Sequence, residues 1–329
     1  MAQILDGNDP RSISRAGARL KAGDIVAFPT ETVYGLGANA LNKKAVAHVF
    51  AVKNRPSFDP LIVHVVDRAA VSSYVSKIDE RATRLMDRFW PGPLTLVLPK
   101  QPIVPDIVTA GLGTVALRMP AHPVALALLR AVDFPIAAPS ANPFGYVSPT
   151  TAAHVQGRLG DAIEVIIDGG PCTIGLESTV CALTEDQAVL LRPGGVTVEQ
   201  IEAVIGPVQI GDSARADTRS PGTLLSHYAP RVPVTLLALG EPLPQPDHHE
   251  HVGLLCLAPR SEAGGYTQVE SLSKDGDLLE AAANLFAALR RLDGYSLDRV
   301  IIESVPEIGI GRAIMDRLRR AATRRWTTS

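Results

Sequence analysis

Several chemistries are removed by what this chain has little of. Three cysteines in 329 residues, Cys172, Cys181 and Cys256, form no CxxC pair and leave an odd count. Neither a disulfide framework nor a thiolate metal site is expected, and reduced thiols of a cytoplasmic protein are the plain reading. No GxxxxGK[ST] segment occurs, which removes a P-loop nucleotide site. No GxSxG elbow is present and Cys172 has no neighbouring histidine, so chemistry without an enzyme-bound intermediate is favoured. No apolar run approaches a membrane span, and the N-terminus has no basic segment followed by an apolar core, so no membrane partner is expected. Net charge is also nearly missing: 32 Lys and Arg against 34 Asp and Glu leave −2. There is no global field to draw in nucleic acid or acidic lipid, so any anion binding has to come from local cation clusters.

What is present is enough apolar sequence, 46%, for about two cores. The pattern is organised around residues 24–64. A β-branched run at 25–28 reads as a buried strand and breaks at Pro29 into a polar turn with Thr30, Glu31, Thr32, Tyr34, Gly35 and Gly37. Asn42 caps a helix with Ala45, Val46, Val49 and Phe50 on one side, which delivers Lys53 and Arg55 before Pro56 stops it. A second strand at 61–66 carries His64. Further strands are expected at 94–98, 114–119, 135–138, 165–168, 178–183 and 188–191, and helices at 14–22, 80–90, 123–132, 151–158 and 197–205. Residues 1–11 read as a loose polar tail and 101–113 as an irregular loop. Strands and helices mix without clean alternation, which predicts a twisted mixed α/β sheet with helices on its faces. From 206 to 231 the periodicity fades. Beyond it, strands at 234–239, 252–257, 267–272 and 299–304 with helices at 278–292 and 310–323 suggest a smaller Rossmann-like α/β domain.

Eight motifs stand in one order: FPTETVYGLG with KNRP and PLIVH, then ALRMP (116–120), APSAN (138–142), ESTV (177–180), LRPG (191–194) and SPGTLLSHYAP (220–230). Together they resemble the YrdC-type threonylcarbamoyl-AMP synthases in their long, two-domain form. The resemblance implies an open twisted YrdC-like catalytic domain at 1–208, a linker at 209–231 that serves as a flap over the nucleotide, and a C-terminal domain at 232–329. It implies synthesis of L-threonylcarbamoyl-AMP from L-threonine, bicarbonate and ATP. Downstream proteins would transfer the threonylcarbamoyl group to tRNA.

Four cations near element ends, Lys53, Arg55, Arg118 and Arg192, are a set that a bound triphosphate would need. Taken singly, an arginine is more often a solvated surface charge; its place inside a motif argues otherwise. Lys53, Arg55 and Arg118 are the residues expected at the reacting groups. By resemblance, ATP is held by Lys53, Arg55, Asp59, Thr114, Ser140, Asn142, Ser148, Arg192 and Tyr228, with His227 beside it. Thr32, His64, Arg118, Ala138 and Ser178 would line the threonine pocket. Arg118 suits a carboxylate through its planar fork, and the alternative for His64 is a hydrogen-bonded core histidine. Tyr34 could simply pack and Glu31 cap the turn. Mg2+ is expected on the ATP phosphates rather than in a protein cage, so no metal ligands are assigned. His248, His249 and His251 sit in a Pro-rich loop without a spaced partner. The last helix carries Arg312, Arg317, Arg319 and Arg320, read as a solvated face with contact to double-stranded RNA or tRNA as the alternative. Carbamoyl-adenylate chemistry, as in YrdC-like domains of hydrogenase maturation factors, is the other competing reading.

Overall fold

The computed structural model describes residues 1–211 and 228–322. The first part is built from strands β1 (Gln3–Asp6), β2 (Val26–Phe28), β3 (Gly35–Asn39), β4 (Ile62–His64), β5 (Leu94–Pro99), β6 (Thr114–Arg118), β7 (Ile136–Ala137), β8 (Val165–Asp168), β9 (Thr179–Ala182), β10 (Ala188–Arg192) and β11 (Val208–Ile210). They form one mixed sheet in the order β1-β8-β2-β3-β7-β4-β6-β5-β9-β10-β11. Its helices are α1 (Pro10–Ala22), α2 (Lys43–Lys53), α3 (Glu80–Phe89), α4 (Asp106–Thr109), α5 (Pro123–Ala131), α6 (Ala152–Leu159) and α7 (Val198–Ile205).

Helix ends follow from short polar side chains at the caps. The Asn42 side chain accepts the N–H groups of Lys44 and Ala45 at the start of α2, and Asn54 closes it in a left-handed conformation, φ 51°. Thr197 and Gln200 form a reciprocal capping box on α7.

Strand alternation sorts the sheet's two faces. Val63 on β4, Val115 and Leu117 on β6, Leu94, Leu96 and Leu98 on β5, Cys181 on β9 and Leu190 on β10 share one core with Phe50 of α2, Leu85 and Met86 of α3 and Ile201 of α7. Their neighbours turn the other way. Ile62 pairs in register with Ala116, and His64 with Arg118, so β4 and β6 present a histidine and an arginine side by side on the opposite face. The same face receives the start of β9 and the end of β10, where Arg192 pairs with Val180 across a register shift.

The second part has β12 (Val234–Leu237), β13 (Val252–Cys256), β14 (Gln268–Ser271), α8 (Leu278–Leu292), β15 (Arg299–Glu303) and α9 (Gly311–Ala322). Its sheet, in the order β12-β15-β13-β14, is parallel throughout. The two parts share a core: Val33, Val147 and Leu176 of the first pack with Leu285 and Phe286 of α8. Tyr146 Oη lies 2.6 Å from Asp293 Oδ2, and Arg290 donates to the Val147 carbonyl.

Three expectations are corrected. Residues 3–6 are not a loose tail; they pair with β8 as an edge strand. Gly35–Asn39, read as turn, is a strand antiparallel to β2. A short helix, α4, interrupts the loop expected at 101–113. The last strand of the large sheet, β11, lies parallel beside β10.

Candidate active site

A buried cavity lies over the polar face of the large sheet. It is lined by Thr30, Thr32, Arg55, His64, Arg118, Ala138, Ser140, Glu177, Ser178, Arg192 and Tyr228, together with Val33, Gly35, Ile62 and Pro139. Its volume is about 50 Å³, room for waters but far below the several hundred Å³ of a typical ligand pocket. Tyr228 closes one side. It is 1% exposed, and its ring stacks on Phe286 at 5.5 Å.

The loop after β2 is folded by Thr30, whose hydroxyl donates to the Val33 carbonyl at 2.7 Å and accepts the N–H groups of Thr32 and Val33. This sets the Thr32 hydroxyl 2.9 Å from Arg118 Nη1. Glu31 Oε1 takes Arg118 Nη2 at 2.6 Å, while Oε2 accepts the Ala121 N–H. Arg118 Nε donates to the Gly92 carbonyl at 3.1 Å. A guanidinium has five N–H groups; with three engaged, one N–H on each terminal nitrogen is left, in a residue that lines the cavity.

Arg55 donates to the carbonyls of Asp59 and Pro60 at 3.1 and 2.9 Å, and its Nη2 sits 2.9 Å from Asp59 Oδ2. Burial lowers the Arg55 pKa and raises that of Asp59, each opposed by the partner's charge. Arg192 donates through Nε and Nη2 to the Ser178 carbonyl and through Nη2 to its hydroxyl at 3.2 Å. Thr95 lies 2.8 Å from the same hydroxyl. His64 is fully desolvated. Burial, with the Arg118 charge second, pushes its pKa down to about 3, so the imidazole is neutral near pH 7. Its Nδ1 lies 3.3 Å from the Ile136 carbonyl. Gly35 is fixed by packing: a Cβ there would stand 3.2 Å from Ala138 Cβ.

Of the four expected cations, Arg55, Arg118 and Arg192 converge on this cavity and Lys53 does not. Lys53 ends α2, which closes in the left-handed residue Asn54. Its ammonium lies 2.5 Å from the Ser140 carbonyl and also binds that of Asn142, beneath the 140–142 loop. Burial holds its pKa well below the ordinary lysine value. All five residues expected at threonine, Thr32, His64, Arg118, Ala138 and Ser178, line the cavity.

The residues expected at ATP divide. Arg55, Ser140, Arg192 and Tyr228 line the cavity; Lys53, Asp59, Thr114, Asn142 and Ser148 do not. Asp59 stands behind Arg55. Ser148 donates to Glu177 Oε1 at 2.5 Å. The Asn142 amide donates to the carbonyls of Pro143 and Tyr146, and its buried Oδ1 has no partner. Thr114 shares the face of Arg118 but stands at the other end of β6, ~13 Å away at strand rise. His227 lies outside the described residues.

Two carboxylates at the site, Glu31 and Glu177, were not expected there. Tyr34 only packs, with its hydroxyl 2.8 Å from the Gly170 carbonyl. The arginines of α9 divide. Arg317 and Arg320 are buried rather than solvated, Arg312 is half-buried beside Glu199, and Arg319 is exposed and pairs with Glu307; Arg324 and Arg325 lie outside the described residues. Among the described residues, no group of three or more His, Cys, Asp or Glu side chains is placed to hold a metal ion.

Known proteins resemble this chain over nearly its whole length. A family model described as telomere recombination, covering the Sua5, YciO and YrdC proteins, matches residues 18–194. A second, described as the C-terminal domain of threonylcarbamoyl-AMP synthase, matches residues 196–323. The threonylcarbamoyl-AMP synthase of Bacillus subtilis is 47% identical over 97% of this chain and 94% of its own length. That of Pyrococcus abyssi is 45% identical over 93% of each. A solved structure of Pyrococcus abyssi Sua5 complexed with L-threonine superposes with a TM-score of 0.90 at 41% identity, covering 98% of this chain and 97% of that one.

Proposed function

The chain belongs to the threonylcarbamoyl-AMP synthase family in its long, two-domain form, and on that premise we propose that its cavity joins L-threonine, bicarbonate and ATP. The observation that carries the reading is the meeting of Arg55, Arg118 and Arg192, drawn from three distant stretches, in one desolvated space beside Thr32, His64 and Ser178.

The amine of threonine takes up bicarbonate and releases water to give a carbamate. A carbamate oxygen attacks the α-phosphorus of ATP, the bond to the bridging oxygen breaks, and pyrophosphate leaves. The products are L-threonylcarbamoyl-AMP, pyrophosphate and water. Arg118 presents its remaining fork to the threonine carboxylate, and Thr32, His64 and Ser178 flank it. Arg55 and Arg192 face the phosphates and offset the charge that grows on the departing oxygens. Neutral His64 adds no repelling charge near the amine. Alignment and charge stabilisation are the protein's task here, and a closed site also shields the short-lived carbamate from water.

Each carboxylate near the cavity is committed: Glu31 to Arg118, Asp59 to Arg55, Glu177 to Ser148 and Arg317. No resident magnesium cage fits this donor set, so Mg2+ arrives on the phosphates of ATP. The nucleotide is larger than the cavity, whose volume is about 50 Å³, and Tyr228 forms part of its wall. The product passes to partner proteins that load it onto tRNA in the cytoplasm. No helix among the described residues is long and apolar enough to cross a membrane.

The test is transfer of label. Labelled bicarbonate carbon should enter a species containing both AMP and threonine only when ATP and threonine are both present. Label in a nucleotide formed without threonine would point to carbamoyl-adenylate chemistry instead.

A further inference from the structure

We propose that Arg317, on α9 of the second domain, is a positioning residue for the nucleotide side of the cavity, so that the second domain completes the site. This rests on the reading above. Arg317 is 0% exposed, though it belongs to a helix whose arginines read as a solvated face. It does not line the cavity, yet it holds both segments that bring Ser178 and Arg192 there. Its Nε donates to Glu177 Oε2 at 2.9 Å, one residue before Ser178. Its Nη2 donates to the Pro193 carbonyl at 3.0 Å, one residue after Arg192. Nη1 is held by Asp316 Oδ2 at 2.6 Å, and Asp316 Oδ1 also takes Arg320, so the guanidinium is braced from its own helix.

The same guanidinium lies 5.2 Å from the centre of the Tyr228 ring, which also stacks on Phe286 of α8. Tyr228 is thus set between two side chains of the second domain while it walls the cavity. A planar fork can bind a carboxylate and a carbonyl and still lie against an aromatic ring; an ammonium cannot do all three. Loss of Arg317 therefore removes one support each from Glu177, from the carbonyl that follows Arg192 and from the Tyr228 ring. None of the groups it fixes belongs to the Arg118 side of the cavity, except Ser178, which the two sides share.

The experiment uses the full chain. Threonine- and bicarbonate-dependent pyrophosphate release gives the KM for each substrate, and calorimetry gives ATP affinity without turnover. Arg317→Met should raise the ATP KM and weaken ATP binding by about tenfold or more, with threonine KM within about twofold. Arg317→Lys, which keeps the charge and is the safer variant for folding, should fall between the two. A folded Arg317→Lys or Arg317→Met with unchanged ATP affinity overturns the proposal, as does an equal rise in both KM values. Wild-type enzyme without threonine-dependent release overturns the functional reading instead, which separates the two failures.

Discussion

Replacing Glu31 by glutamine removes one charge and almost no volume from beneath Arg118. The pair is close, 2.6 Å, and nearly dry, with side chains 4% and 9% exposed. An amide oxygen can keep one of the two acceptor roles, toward Arg118 Nη2 or toward the Ala121 N–H, but not both with carboxylate strength. A hydrogen bond to a charged group contributes about 1.5–3 kcal/mol, and breaking a buried pair outright costs about 3–5 kcal/mol. Glu31→Gln should therefore lower stability by about 2 kcal/mol, a fall in Tm of roughly 4–8 °C for a domain of this size. The functional effect follows from geometry. Without Glu31 the Arg118 fork loses the contact that aims it, and threonine KM should rise about tenfold while ATP KM moves less than about twofold. Thermal unfolding and pyrophosphate release measure the two. Unchanged stability would mean that the pair is not coupled as described. A threonine KM that falls would be more damaging, because it would make Glu31 a competitor for Arg118 rather than its support.

Other predictions follow from the same geometry. Arg118→Ala should raise the threonine requirement well beyond the ATP requirement, and equal losses would remove the division of the cavity into two sides. Lys53→Met strands two buried carbonyls, at about 1–3 kcal/mol each, so it should appear first as lost stability in denaturant unfolding. A stable variant with collapsed kcat would instead place the ammonium on substrate. His64 has its pKa pushed down to about 3 from an ordinary 6.5, so the unfolded chain binds the proton more readily. Its contribution is complete above pH 6.5 and is lost as the pH falls toward 3, at roughly 1.4 kcal/mol per unit. His154, lowered to about 4 by burial and by Arg290 and Arg291, adds the same slope between 6.5 and 4. His64→Gln should flatten the acid limb of a stability curve between pH 6.5 and 5, and an unaltered limb would show that His64 takes its proton without penalty.

The long buried strands and capped helices were legible because their signals are local. β4 and β6 announce themselves by apolar runs, and α2 by Asn42. β1 is short and polar, and only its partner β8 makes it a strand. β3 is hidden by Gly35 and Gly37, which read as turn residues until the neighbouring Phe28, Ile136 and Ala138 show why no Cβ fits. The cavity's arginines were legible through the motifs that carry them. Glu31 and Glu177 were not, because the arginines they hold stand 87 and 140 residues away. The partners of Lys53 were not legible either, because the carbonyls of Ser140 and Asn142 that it binds stand 87 and 89 residues away. Arg317 misleads in the other direction, since a basic stripe looks solvated until the first domain is docked against it.

The claim on which the account stands is that one cavity aligns an amino-acid carbamate with the α-phosphate of ATP. Pyrophosphate release with each substrate withheld in turn tests it most directly. The account predicts release only when L-threonine, bicarbonate and ATP are all present. Equal release without threonine, or without bicarbonate, would contradict it.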